Sequence, residues 1–207
     1  MLLRISTPWR SHILISILLL TVLLSGCNQD YVPKPRSYFR IDLPEKSWQS
    51  FDTTFPYAFE YPAYAVIHTK PDTSANPYWI NLEFPRFKGT CYISYSNPGT
   101  KLKDYLEESR EMALKHMQKS NGIDEFIINR PEAKVFGTVF EISGNDAAST
   151  YQFYLTDSID NFIRGALYFN IVPNNDSLSP VIAFLKKDID HLIETLKWKK
   201  LPSGKRK

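Results

Sequence analysis

TYQFYLTDSIDNFIRGALYFN, residues 150–170, decides the fold. Thr150–Thr156 and Phe162–Asn170 both alternate bulky apolar side chains with other residues, the period of a half-buried strand. Only Asp157–Asp160, rich in turn formers, separates them. A connection this short joins antiparallel strands, because a parallel pair needs a crossover of a dozen residues or more. Upstream, Gly144-Asn145-Asp146 is a second short turn, and Ala133–Ser143 before it reads as another strand. Further upstream the pattern repeats. Thr90–Ser96 (TCYISYS) alternates and is closed by Asn97-Pro98-Gly99, Tyr78–Phe84 alternates before it, and Pro56–Tyr61 with Tyr64–Thr69 predict a hairpin around Pro62.

Two stretches carry helical spacing instead. Leu102, Tyr105, Leu106, Ser109, Met112, Ala113, His116 and Met117 predict an amphipathic helix over 102–119, closed near Asn121-Gly122. Val181, Ile182, Leu185, Ile189, Leu192, Ile193 and Leu196 form the stripe of a last helix, with Ser179 as its cap and Pro180 at its first position. The expected architecture is α+β: a mainly antiparallel sheet of about six to seven strands with two long helices packed on it. It occupies residues 51–198, followed by a basic tail, 199–207.

The N-terminal stretch has a different character. Arg4 and Arg10 precede an apolar run from Ile13 to Leu24, too short to span a bilayer of about 30 Å as a helix but suited to a secretion signal. Leu24-Ser25-Gly26-Cys27 follows and resembles the bacterial lipobox. Residues 1–26 are therefore expected to be a lipoprotein signal peptide, with the Cys27 thiol taking the lipid. Each buried methylene of an acyl chain such as palmitate contributes about 0.8 kcal/mol, so two or three chains hold a protein on a membrane. The expected location is the cell envelope, anchored to a membrane and facing the periplasm.

Residues 27–50 read as an arm. Pro33, Pro35 and Pro44 forbid helix and favour an extended chain. Tyr31, Tyr38, Phe39 and Trp48 make it too aromatic for a plain spacer. It lies along the domain or docks another protein. Arg36, Tyr38, Phe39 and Arg40 are the candidate contacts, since arginine and aromatics dominate interface energetics. Asn145, in a loop of small residues, is a further candidate.

Charge argues against nucleic acid. The whole chain carries +3, but Arg4 and Arg10 leave with the signal. Lys197, Lys199, Lys200, Lys205, Arg206 and Lys207 concentrate positive charge at the C-terminus, leaving the rest acidic. With Cys27 lipidated, Cys91 has no disulfide partner and reads as a small buried residue. No His-Glu-x-x-His, Cys-x-x-Cys, phosphate-cradling glycine loop or Gly-x-Ser-x-Gly elbow occurs. No metal, cofactor or catalytic residue is expected. An enzyme would need Glu83, Glu141 or one of His68, His116 and His191 to converge; a small-ligand binder would need an apolar pocket between sheet and helices. Asp52-Thr53-Thr54, Asp157-Ser158-Ile159 and Asp176-Ser177-Leu178 match a short O-glycosylation pattern.

The arm itself, Asp30-Tyr31-Val32-Pro33-Lys34-Pro35-Arg36 and Tyr38-Phe39-Arg40-Ile41-Asp42-Leu43-Pro44-Glu45-Lys46, resembles the start of the gliding motility lipoproteins called GldD. Similarity continues through Phe59–Pro62, Trp79–Asn81, the Gly144-Asn145 loop, Gln152–Ser158, Phe162–Asn170 and the last helix. The chain departs at Ser37, where that family often has glycine. The resemblance implies a Bacteroidota envelope lipoprotein needed for gliding and for type IX secretion. Its partners would be the membrane and other motility or secretion lipoproteins. It implies no catalytic residue, so a non-enzymatic structural component is the first reading, with an envelope hydrolase or a ligand-binding lipoprotein as alternatives.

Overall fold

The computed structural model describes residues 12–13, 16–17, 41–69, 78–171 and 174–200. Cys27, Arg36, Tyr38, Phe39, Arg40 and the basic tail beyond Lys200 lie outside the described residues. Residues 12–13 and 16–17, within the expected signal, are helical. The chain divides into two units, Met1–Phe39 and Arg40–Lys207, and all elements below belong to the second.

Among the described residues ten strands form two sheets. The large one has the order β3-β4-β5-β9-β8-β7-β6, every neighbouring pair antiparallel. Its strands are β3 (Val66–Thr69), β4 (Ile80–Phe84), β5 (Gly89–Ser96), β6 (Gly122–Arg130), β7 (Val135–Ser143), β8 (Ser149–Thr156) and β9 (Phe162–Phe169). The order resolves into two meanders, β3-β4-β5 and β6-β7-β8-β9. They are stitched where residues 89–96 meet residues 162–169, with helix α1 (Leu102–Leu114) in the connection between them. The small sheet is β1-β2-β10, from β1 (Trp48–Phe51), β2 (Tyr57–Pro62) and β10 (Lys197–Trp198).

Alternation along the strands assigns the faces. One face carries Leu82, Cys91, Ile93, Val139, Tyr151, Phe153, Leu155, Ile163 and Leu167. The second helix, α2 (Asn175–Thr195), lays Val181, Leu185, Ile189, Leu192 and Ile193 on it, and Phe51, Tyr57 and Phe59 of the small sheet complete one continuous core. Leu185 and Ile189 are fully buried, each contributing about 1.5–3 kcal/mol by leaving water. The Phe153 ring fills the space over Gly165, where a Cβ would stand 2.2 Å from the ring, so only glycine fits opposite it. The other face is partly covered by α1, which makes its approach on the small residues Ser109 and Ala113 and sets Tyr105 edge-on to Phe162 at 5.4 Å.

Antiparallel pairing and two helices are as expected; several details differ. The large sheet has seven strands, within the expected number, but among the described residues three further strands form a second sheet. The hairpin around Pro62 does not form. The Ala65 N–H donates to the Pro62 carbonyl at 3.0 Å and turns the chain out of one sheet and into the other. There β2 takes its partner from upstream, Trp48–Phe51, which straddles the end of the stretch assigned to the arm, while β3 pairs with β4. Strand β6 was not expected; as an edge its Phe126 and Ile127 stay exposed, which blurs the alternation that marks a strand. Helix α1 ends at Leu114, and a separate 3-10 turn covers Met117–Lys119. Helix α2 starts at Asn175, not at Pro180. Asn174 is its cap, its side chain accepting from the Ser177 N–H at 3.4 Å, and Pro180 sits inside, where it removes one backbone hydrogen bond.

Candidate functional site

The stripe of α2 contains one residue that does not belong with aliphatics. Asp188 lies between Leu185 and Leu192 at helical spacing and is fully buried. A carboxylate there is tolerated only if its oxygens are taken up. One accepts from Lys46, which stands just before β1, and the other from the Tyr64 hydroxyl in the turn between β2 and β3. Lys46 also donates to the Phe184 carbonyl at 3.1 Å, and its ammonium lies 3.9 Å from the centre of the Phe184 ring and 5.8 Å from that of Trp48. The Lys46 side chain remains 27% exposed, so the ion pair has a dry end and a wet end. Burial, and then the bond to Asp188, drives the Tyr64 hydroxyl far above its ordinary range, so Tyr64 stays a neutral donor.

One turn further along α2, His191 continues the cluster. Trp48 stacks on its ring at 3.7 Å, and its Nε2 is 2.7 Å from Oε2 of Glu60 on β2. Thr195, another turn on, accepts from the Glu60 N–H at 2.9 Å. Lys46, Trp48, Glu60, Tyr64, Asp188 and His191 thus form a clamp. It joins the end of the arm to one flank of α2. The opposite flank is held by Lys186 with Glu141 and by the Tyr151 hydroxyl with Asp190. Burial keeps the Asp190 carboxyl above its usual range, although the Tyr151 bond and Lys186 oppose this.

The two candidate glutamates are kept apart. Glu83 pairs across the sheet with Thr90 and through it with Tyr168, whereas Glu141 pairs with Tyr151 and through it with Leu167. Tyr168 and Leu167 are successive residues of one strand, so the two glutamates project from opposite faces. His68 meets Glu83 at 3.1 Å with both side chains largely in solvent, a pair that contributes little. His116 lies beside Arg164; burial, then that guanidinium, lowers its pKa below the usual histidine value. Arg164 in turn donates to Gln152 at 2.8 Å. The Cys91 thiol is wholly buried, and burial pushes its pKa up to about 12. Among the described residues no group of three or more metal-ligating side chains forms.

The Gly144–Ala147 loop is occupied with α2. Asn145 accepts from the Asp176 N–H at 3.1 Å through its side chain and from the Asn175 N–H at 3.2 Å through its carbonyl. The Asn175 amide donates back to the carbonyls of Gly144 and Ala147, at 2.7 and 2.9 Å. Gly144 has φ of 131° and a Cβ there would stand 2.9 Å from the Ser120 Cα, so glycine is required. Thr53, Ser158 and Ser177 are all exposed.

Sequence reasoning did not find the clamp. Its one local signal was Asp188 itself, a charge at an aliphatic position; Lys46 and Tyr64 are remote in the chain and carry no pattern.

The family model described as gliding motility lipoprotein GldD matches residues 28–198. The chain belongs to that family. The GldD match spans the clamp, both sheets and both helices. Membership makes this a gliding motility lipoprotein of the cell envelope, anchored to a membrane. No helix among the described residues is long and apolar enough to cross a membrane. A search of curated proteins finds no match. Among solved structures, the chain is similar to the solution structure of cyanobacterial PsbP (CyanoP) from Synechocystis sp. PCC 6803. The identity is 11% and the TM-score 0.44, over 77% of this chain and 97% of that one.

Proposed function

We propose that this GldD-family chain works without catalysis, as a periplasm-facing structural component that serves gliding motility and the linked type IX secretion. In this reading Cys27 carries the lipid and Arg36, Tyr38, Phe39 and Arg40 engage another envelope lipoprotein. The observation that carries it is the clamp. The end of the arm is fixed to α2 by a buried ion pair, and the candidate carboxylates Glu83 and Glu141 lie on opposite faces of a sheet. Such a layout fixes the end of the arm to the domain. The family match beginning at residue 28, directly after Cys27, is in keeping with a mature chain that starts at that cysteine.

The test is complementation of a strain lacking the protein, scored by colony spreading and by secretion of a type IX cargo. Arg36→Ala with Phe39→Ala should abolish both while the protein accumulates normally; Glu83→Gln with His68→Ala should leave both intact. Loss of motility in the second variant, with the first unaffected, would overturn the reading in favour of a hydrolase. Cys27→Ser should release the chain from the membrane fraction.

A further inference from the structure

The large sheet ends in two different edges. β3 offers four residues, whereas β6 offers nine, paired with β7 in unbroken register and with no bulge. No described strand pairs with its outer side. Edges are ordinarily blunted by lysine, proline, bulges or brevity. β6 carries charge only toward its ends, at Asp124, Glu125 and Arg130, and has no lysine, proline or bulge along its length: Gly122-Ile123-Asp124-Glu125-Phe126-Ile127-Ile128-Asn129-Arg130 holds an apolar centre, with proline only after it. Ile127 is 84% exposed and Phe126 51%, one on each face of the sheet.

We infer that β6 pairs antiparallel with β6 of a second copy of this chain, joining two seven-stranded sheets into one continuous sheet across a two-fold axis at Ile127. The symmetry itself limits the choices. A two-fold perpendicular to a sheet keeps each residue on its own face, so it must pass through a residue paired with its own copy. With the axis at Ile127, Asp124 lies opposite Arg130 of the second copy, Phe126 opposite Ile128, and Glu125 opposite Asn129. The face toward α2 then reads Asp-Phe-Ile-Arg against Arg-Ile-Phe-Asp, complementary in charge at both ends and apolar between. Moving the axis to Phe126 sets Arg130 against Gly122 and Asp124 against Ile128. Moving it to Ile128 sets Asp124 against Glu132, like against like. Parallel addition in matching register places Asp124 and Glu125 against their own copies. Of these registers, the one centred on Ile127 alone satisfies charge and burial together. Arg130 donates to the Ile193 carbonyl at 2.8 Å and holds Glu132 at 3.6 Å through Nε, and its five-donor fork has capacity for a second carboxylate. Adding a strand also satisfies the outward backbone groups of β6, the mode by which sheet edges recognise extended segments.

Cysteine cross-linking of the full chain in its own envelope tests the register. Ile127→Cys should give a disulfide-linked homodimer on mild oxidation, at least tenfold above Ile159→Cys, a control on the β8–β9 turn that is 63% exposed. The native Cys91 thiol is buried and does not compete. Adding Asp124→Lys, at an exposed position, should reduce the yield to the control level, and adding Arg130→Asp to that should restore it. Because Arg130 also bonds within the fold, the unfolding midpoint of the last variant is measured alongside, and Asp124→Lys alone stands as the deciding charge test. A yield at residue 127 no higher than at 159, or one indifferent to Asp124→Lys, overturns the proposal. So does a product linking residue 127 to a different polypeptide and never to itself.

Discussion

Replacing Lys46 by methionine should destabilise the domain more than neutralising its partner. Removing one member of a buried ion pair costs about 3–5 kcal/mol, because the other charge is left without compensation. Asp188 is fully buried, so Lys46→Met strands its carboxylate with only the Tyr64 hydroxyl for support. Methionine keeps the packing on Phe184, and water reaches the mouth of the site, since Lys46 is 27% exposed. The lower end of the range applies, about 3 kcal/mol. Asp188→Asn leaves an ammonium that turns outward to solvent, and the new amide oxygen still accepts from Tyr64. That variant should cost about 1–1.5 kcal/mol. The double variant strands no charge and should fall near the Asp188→Asn value, well below the sum of the singles. Urea unfolding followed by tryptophan fluorescence reads these directly. With a slope of about 2 kcal/mol per molar, the Lys46→Met midpoint falls by roughly 1.5 M and the Asp188→Asn midpoint by about half a molar. If the lysine variant costs no more than the aspartate variant, or if the two costs add, the carboxylate is not held as described.

Three further outcomes follow from the geometry. Gly144→Ala should cost about 2–3 kcal/mol, from a strained φ and a clash with the Ser120 backbone, and should lower the melting temperature by roughly 4–12 °C. Burial raises the Asp157 pKa, but hydrogen bonds from Asn161, Ile159 and Asp160 outweigh it and hold the carboxyl below its ordinary 3.8. Its contribution is therefore complete above that value and lost as pH falls through the lower folded one, so the stability gap between wild type and Asp157→Ala should be flat at neutral pH and close in acid. Cys91, its pKa pushed up by burial to about 12, should resist alkylation at pH 8 in the folded chain and react at once in denaturant, as mass spectrometry would show.

What could be read from residues alone was whatever shows a period. Val181, Leu185, Ile189, Leu192 and Ile193 announce α2, and the short turn at Asp157 forces β8 and β9 to be antiparallel. Where the expectation slipped, tertiary context overrode a local cue. Pro180 reads as a helix start, yet the helix begins earlier, capped by Asn174 and tied through Asn175 to the Gly144–Ala147 loop, with Pro180 inside it. Trp48-Gln49-Ser50-Phe51 has no alternation long enough to notice, and becomes a strand because β2 needs a neighbour. The two sheets were not separable, since Pro62 marks a turn without saying whether the chain returns. The clamp was invisible as a set: Asp188 was out of place in its stripe, but the partner that makes it tolerable lies at the other end of the chain.

That partner's position has a mechanical reading. Lys46 precedes Trp48, the first residue of the β1–β2 ladder. Along the described residues, tension from the N-terminal side meets the lysine before it reaches a ladder of either sheet, and passes into α2, which is seated along the core from Val181 to Ile193. The pull is thus spread over a helix rather than concentrated at a strand end, where bonds would open one after another like a zip.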